Sequence, residues 1–314
     1  MKERLEQIFQ NLNQKIMRMG RFKLYGMVYF LCMFVVLYVT STSMKLIQTQ
    51  LMINHIKAKG INYDAFRELM IDEEAIQRAQ RNIRVLTRKH PELKKSILAD
   101  EFSYLAVSML SKDYDLVNHQ PTDLVTFLRV IAQLADTEYF QELSDYYRII
   151  FQDLKYFPIP KIQSGSRDIS YSNTWHALRK YGGNRWHEGT DLMDPKNISG
   201  YFPVVSMTDG VVENIGWLEQ GGNRVGIRSA SGAYFYYAHL HSYAPNLKEG
   251  DAVIAGQLLG FMGDSGYGPP GTVGQFDVHL HVGIYIPSTI GEISVNPYWI
   301  LQMLEEHRTF YFYE

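Results

Sequence analysis

Between Lys23 and Lys45 the chain runs for 21 residues, 24–44, without a formal charge. A helix rising about 1.5 Å per residue carries such a stretch about 31 Å, the thickness of a bilayer core. Its front, LYGMVYFLCMFVVLYV, is strongly apolar, and its back, TSTSM, is polar enough for a membrane interface. Ahead of it stand six basic side chains (Lys2, Arg4, Lys15, Arg18, Arg21, Lys23) against two acids, Glu3 and Glu6. Behind it the basic residues thin out to Lys45, Lys57 and Lys59. That bias predicts a cytoplasmic tail over 1–23, a transmembrane helix over 24–44 in contact with the lipid bilayer, and an extracytoplasmic body. A cleaved signal peptide is the rival, because Ser41-Thr42-Ser43 offers small residues at a usable spacing. The long leading segment and the long apolar run favour an uncleaved, single-pass anchor.

The rest of the 314 residues suffices for two ordinary domains, and 46% hydrophobic content excludes a disordered chain. The single cysteine, Cys32, lies inside the apolar stretch. The body therefore makes no disulfide and has no thiol to offer a metal. With 31 basic and 33 acidic residues the formal charge is −2, so no nucleic-acid partner is expected.

Residues 45–157 read as a helical module, a spacer or a unit for a protein partner. Asp72 is a cap-like start, with Glu73 and Glu74 in the first turn and Ile76, Ala79, Ile83 and Leu86 at helical spacing. Pro91 is expected to end that helix and open the next, towards Met109. Pro121-Thr122-Asp123 and Asp136-Thr137-Glu138 start two more, ending near Leu154. At Phe157-Pro158-Ile159-Pro160 the pattern changes: glycine becomes frequent and short β-branched and aromatic runs alternate with turns. Residues 158–305 are predicted to form a mainly antiparallel β domain, followed by a C-terminal tail over 306–314. The fold class is α+β.

Five of the ten histidines fall in three clusters of that β region: His187-Glu188-Gly189-Thr190-Asp191, His239-Leu240-His241 and His279-Leu280-His281. On a strand, residues two apart share a face, so His279 and His281 present their imidazoles side by side. Gly189 argues against a helix between His187 and Asp191, and a turn between strand ends is expected. Two imidazoles and a carboxylate form a donor set suited to Zn²⁺, with a fourth position open for water, the mark of a catalytic site. Asp277 shares the strand face of His279 and His281 and is a candidate to orient one of them.

These residues resemble the lysostaphin/LytM-type zinc endopeptidases, which cut bacterial cell-wall peptides. The resemblance covers roughly 180–300 and includes, in order, His187-Glu188-Gly189-Thr190-Asp191, Asp209-Gly210-Val211-Val212, Tyr237-Ala238-His239-Leu240, Lys248-Glu249-Gly250-Asp251 and His279-Leu280-His281. The segment Ser265-Gly266-Tyr267-Gly268-Pro269-Pro270-Gly271-Thr272 is most similar to a spore-associated branch, the LytH-like L-alanyl-D-glutamate endopeptidases. The resemblance implies His187, Asp191 and His281 as ligands of one Zn²⁺ per chain. It implies His279 as the base towards the attacking water. His239 would bond the developing oxyanion or carry the proton to the leaving amine. Two positions depart from the pattern: His241 is an additional histidine, and Gly283 replaces a glutamate common after the His-x-His strand, though the spore-associated branch shares that glycine.

The implied function is a membrane-anchored zinc endopeptidase acting on peptidoglycan stem peptides, with the L-Ala–D-Glu bond as the candidate. The alternative is an inactive scaffold or activator of another wall hydrolase. Gly263-Asp264-Ser265-Gly266 looks like a serine-protease nucleophile signature, but His239 and Ser265 are too close in sequence for that architecture. It reads as a turn capped by Asp264, within a Gly/Pro loop over 263–275. That loop is expected to form one wall of a substrate groove, with Tyr267, Pro269 and Pro270 available to a peptide.

Overall fold

A computed structural model of the chain describes residues 21–92, 100–162 and 168–313, together with 4, 6, 7, 10, 11 and 14. Lys2, Glu3, Lys15 and Arg18 of the basic tail, residues 93–99 of the expected Pro91–Met109 run, and 163–167 and 314 lie outside the described residues. Contacts divide the chain into two units, Met1–Asn54 and His55–Glu314.

The N-terminal apolar stretch lies on helix α1 (Arg21–Lys59). Lys23–Lys59 is long and apolar enough to cross a membrane, and its apolar window is not buried by protein. The hydroxyls of Thr40 and Thr42 donate to the carbonyls of Val36 and Tyr38, each at 2.8 Å. Their polarity is thus satisfied inside the helix itself.

The second unit begins with five helices: α2 (Tyr63–Arg67), α3 (Glu73–Lys89), α4 (Glu101–Ser111), α5 (Leu124–Leu134) and α6 (Glu138–Phe151). Side-chain caps start four of them. Asn62, Asp72, Asp100 and Asp123 accept from the backbone N–H groups of Ala65, Ala75, Ser103 and Thr126. Each satisfies an N–H that the first helical turn leaves unpaired. The expected starts at Asp72 and Asp123 are observed, and the last helix opens at Thr137 without a side-chain cap. Helix α3 ends at Lys89, just before Pro91 as expected; Pro91-Glu92 form a 3₁₀ turn, the residues that follow lie outside those described, and α4 opens at the Asp100 cap. Asp100 also receives Arg148 Nη2 of α6 at 2.5 Å, tying two helices together. Asp100→Ala is therefore expected to cost about 1 kcal/mol for the cap plus about 0.5 kcal/mol for the half-exposed pair, read from urea unfolding.

The β region contains β1 (Lys161–Ile162), β2 (Leu178–Arg179), β3 (Arg185–Trp186), β4 (Thr190–Met193), β5 (Pro203–Val205), β6 (Gly210–Leu218) and β7 (Gly222–Ser229). It continues with β8 (Tyr234–Tyr243), β9 (Ala252–Val253), β10 (Leu258–Met262), β11 (His279–Ser288), β12 (Gly291–Val295) and β13 (Phe310–Tyr311); α7 (Tyr298–Leu304) follows β12. Strands β4 to β12 form a nine-stranded sheet with the path β12-β11-β8-β7-β6-β9, and β4 and β10 pair with β11 and β8. Every pairing in it is antiparallel, as expected. Strand β13 pairs in parallel with β1. Phe235, Tyr237, Val225, Ile227, Leu280, Val282 and Ile284 are fully buried in its core. The Tyr237 hydroxyl accepts from the Met207 N–H at 2.8 Å, satisfying the polar end of a buried ring.

Helices and sheet meet within this unit. Arg67, the last residue of α2, donates to the Ser294 carbonyl at 2.9 Å and to its hydroxyl at 2.7 Å. Its Nη2 also lies 2.6 Å from Glu188 Oε1, within the first histidine cluster. Glu142 of α6 accepts from Tyr63 and from Thr289, just beyond β11.

Candidate metal centre and active site

The sheet register accounts for the first two site residues. Strand β11 pairs with β4 so that His281 lies opposite Asp191, and with β8 so that His281 lies opposite Ala238. Directly opposed residues have Cβ atoms about 5 Å apart, which brings carboxylate and imidazole into contact. His187 follows β3 and reaches the same point across the Glu188-Gly189 turn, which joins β3 to β4 as the sequence suggested.

The three side chains converge. His187 Nε2 is 3.0 Å from His281 Nδ1 and 3.1 Å from Asp191 Oδ1, and His281 Nδ1 is 3.0 Å from the same oxygen. One ligand atom from each lies within 4.8 Å of the others. A tetrahedron with bonds of about 2.0–2.1 Å has edges of about 3.3 Å, so the triangle needs to open only slightly to hold zinc. His187 Nδ1 lies 3.0 Å from the Thr174 carbonyl and hydroxyl and 3.1 Å from Arg179 Nη2. The ring is held from its Nδ1 side, which leaves Nε2 turned to the Asp191 oxygen and to His281.

Electrostatics points the same way. Burial alone would push the Asp191 carboxyl up, but the neighbouring imidazoles hold it well below the usual carboxylate range. Burial pushes the His281 imidazole down. Ionised carboxylate and neutral imidazole are the forms a metal requires.

His279 and His239 stand beside this triangle. His279 Nδ1 donates to the Asp277 carbonyl at 2.6 Å, and His239 Nδ1 donates to the Ser265 carbonyl at 2.8 Å. Nδ1 is thus occupied in both rings and Nε2 is the remaining nitrogen; that of His279 lies 3.8 Å from Asp191 Oδ1. The two ring centroids are 4.7 Å apart. Burial, reinforced by His279 and His281, pushes the His239 imidazole well below its ordinary value. Asp277 thus orients His279 through its main chain, so side-chain alternation gave the right residue by the wrong group.

His241 stays outside. A regular strand would place it on the face of His239, but His239 has φ +62° and the β8 pairings shift register around it. His239 is buried while His241 is exposed and lies 3.1 Å from the Ser199 hydroxyl. Left-handed backbone in a non-glycine residue is costly and clusters at functional sites. Ser265 is no nucleophile: its buried hydroxyl donates to the Leu240 carbonyl and accepts from the Asn223 N–H. Asp264 caps the loop at the Gly274 N–H, as expected.

The five residues border a cleft of about 770 Å³, whose lining includes Tyr267 and Phe276 but not Pro269 or Pro270. Tyr267 stacks on Tyr181 at 4.2 Å. The place left by Gly283 is occupied by the Tyr285 ring, 2.8 Å from where a Cβ would stand.

Residues 185–297 match the model of Peptidase family M23. A crystal structure from Ruminococcus gnavus, of a candidate glycyl-glycine endopeptidase lytM, is 42% identical, covers 80% of this chain and 94% of its own, and superposes with a TM-score of 0.63. The chain belongs to peptidase family M23. It is 44% identical over 151 residues to the L-Ala–D-Glu endopeptidase of Bacillus subtilis (strain 168), covering 48% of this chain and 44% of that one. It is 39% identical over 83 residues to lysostaphin of Staphylococcus simulans, covering 26% of this chain and 16% of that one. The chain thus spans less than half the length of these curated relatives. Several cleft residues of this M23 domain carried no sequence signal: Arg179, whose Nη2 lies 2.5 Å from Asp191 Oδ2, and Arg185, Arg224 and Tyr236. They come from separate strands of two sheets, and only the folded domain brings them together.

Proposed function

We propose that this M23 protein is a zinc endopeptidase hydrolysing an amide in peptidoglycan stem peptides, with the L-Ala–D-Glu bond as the candidate. The observation that carries the reading is the convergence of His187, Asp191 and His281 on one point, with two further imidazoles beside it, each held through Nδ1. His187 through Nε2, His281 through Nδ1 and Asp191 through its carboxylate would hold the metal. Zinc bound there supplies Lewis acidity, which polarises a carbonyl and makes water acidic enough to deprotonate near neutral pH.

The chain's own residues then handle the proton. His279 Nε2, its ring fixed through the Asp277 carbonyl, takes a proton from the attacking water. His239, fixed through Ser265, stands close enough for the pair of rings to return a proton to the leaving nitrogen. The neutral tautomer of His239 offers a lone pair rather than a hydrogen, which favours the proton-carrying role over oxyanion donation. Helix α1 serves in this reading as a single-pass anchor with the N-terminus cytoplasmic and residues 158–305 outside as the peptidase domain. The helical module over 45–157 is then the element for a protein partner.

The test uses the full chain in detergent with purified peptidoglycan. Bound zinc is quantified, and released fragments are read by mass spectrometry. One zinc per chain and new N-terminal glutamyl ends are expected. A different new amine end would replace the candidate bond, and a folded protein with neither zinc nor cleavage would favour the scaffold reading.

A further inference from the structure

Three arginines, Arg179, Arg185 and Arg224, line the cleft with three carboxylates, Glu188, Asp191 and Glu292. Each carboxylate already has an arginine: Glu188 pairs with Arg67, Asp191 with Arg179, and Glu292 with Arg228. Arg67 and Arg228 do not line the cleft, and Arg228 is shared with Glu213, so of the three arginines that do line it Arg185 and Arg224 are the two without a carboxylate of their own among the described residues.

Among the described residues neither of these makes an ion pair. Arg185 Nη2 donates to the Tyr267 hydroxyl at 3.2 Å, while its buried Nε has no partner. Arg224 has two buried nitrogens, Nε and Nη1, without a partner. Buried charged donors are normally satisfied, so two such groups in one cleft need an explanation. Both guanidinium groups act on one phenol: burial raises the Tyr236 hydroxyl's pKa, while Arg224 and Arg185 oppose the rise. Arg224 stands where the β7–β8 register shifts between Asn223 and Val225, and a bulge re-aims a side chain. The Tyr181–Tyr267 stack braces the wall to which Arg185 is bonded.

We infer that Arg185 and Arg224 form an anion subsite that takes a free carboxylate of the peptide substrate beside the scissile amide. This rests on the endopeptidase reading and narrows its substrate class. A glutamyl residue that continues a chain through one carboxyl keeps the other free, and planar guanidinium groups match that carboxylate geometrically. A cross-bridge of neutral glycines offers no such group, and neither does a glutamyl residue converted to its carboxamide. The subsite therefore selects acidic over amidated stems.

The test compares two synthetic peptides containing L-Ala–D-Glu, identical except that the free carboxyl is an acid in one and a carboxamide in the other. The zinc-loaded full chain in detergent is measured for kcat/KM and, separately, for affinity by calorimetry. The acid is expected to be preferred about ten- to a hundredfold in both, the range for hydrogen bonds to a charged group. The preference should shrink with added salt. In Arg185→Gln/Arg224→Gln the acid-to-amide ratio is expected to collapse to about one, with Arg224→Lys retaining part of it. Zinc content and the unfolding midpoint serve as controls for folding. Equal affinity of the wild-type chain for the two peptides, or a preference surviving the double substitution, overturns the subsite. A binding preference without cleavage of either peptide would instead overturn the endopeptidase reading and leave the subsite standing.

Discussion

Full-length protein carrying His281→Ala is expected to stay folded, lose its zinc, and cleave peptidoglycan at least about a thousandfold more slowly than wild type. The imidazole supplies one of three donor atoms and stands 3.0 Å from each of the other two. Without it, one imidazole and one carboxylate remain, too few for a three-ligand catalytic site. The fold has other supports. Strand β11 keeps its ladders with β4, β8 and β12, and Asp191 keeps its pair with Arg179. Zinc stoichiometry, the unfolding transition and fragment release, measured on one preparation, separate these effects. Cleavage within tenfold of wild type would remove His281 from the chemistry. Loss of zinc together with loss of the unfolding transition would make its role structural.

How much of this was legible beforehand follows from the range of each interaction. Asp72 and Asp123 act on N–H groups three residues ahead, and a local pattern announces them. The His187–Asp191 turn and the His279/His281 pair are likewise short-range in sequence, and the sheet register sets one against the other. Asp100 is a local cap of the same kind as Asp72 and Asp123, but part of its role comes from Arg148, 48 residues away. The break in strand geometry that turns His241 away from His239 has no such local pattern. Arg67 reaching Glu188 across 121 residues has no local signature at all. The same holds for the cleft arginines, each of which reads in sequence as an ordinary surface charge.

Gly189→Ala is expected to be nearly as damaging as loss of a ligand, although glycine contributes no atom to the chemistry. A Cβ at this position would stand 2.3 Å from His281 Cε1, 2.5 Å from its Nε2 and 2.7 Å from the Val282 carbonyl oxygen. Glycine is required here for close approach: the turn carrying His187 and Asp191 packs directly on the third ligand. Relief is expensive on both sides. The His281 ring is also packed edge-on by Tyr236 and His239. The carbonyl belongs to a strand held in register, Val282 opposite Thr190. Overpacking of this kind costs about 1–3 kcal/mol of stability. A displacement of about 1 Å at a reacting centre costs about a hundredfold in rate. The variant should therefore unfold at lower temperature, release zinc to a chelator more readily, and cleave about a hundredfold more slowly. Wild-type zinc retention with cleavage within threefold would mean that the His281 ring is free to leave this position without consequence. In that case the three donor atoms found together here would not be the set that acts.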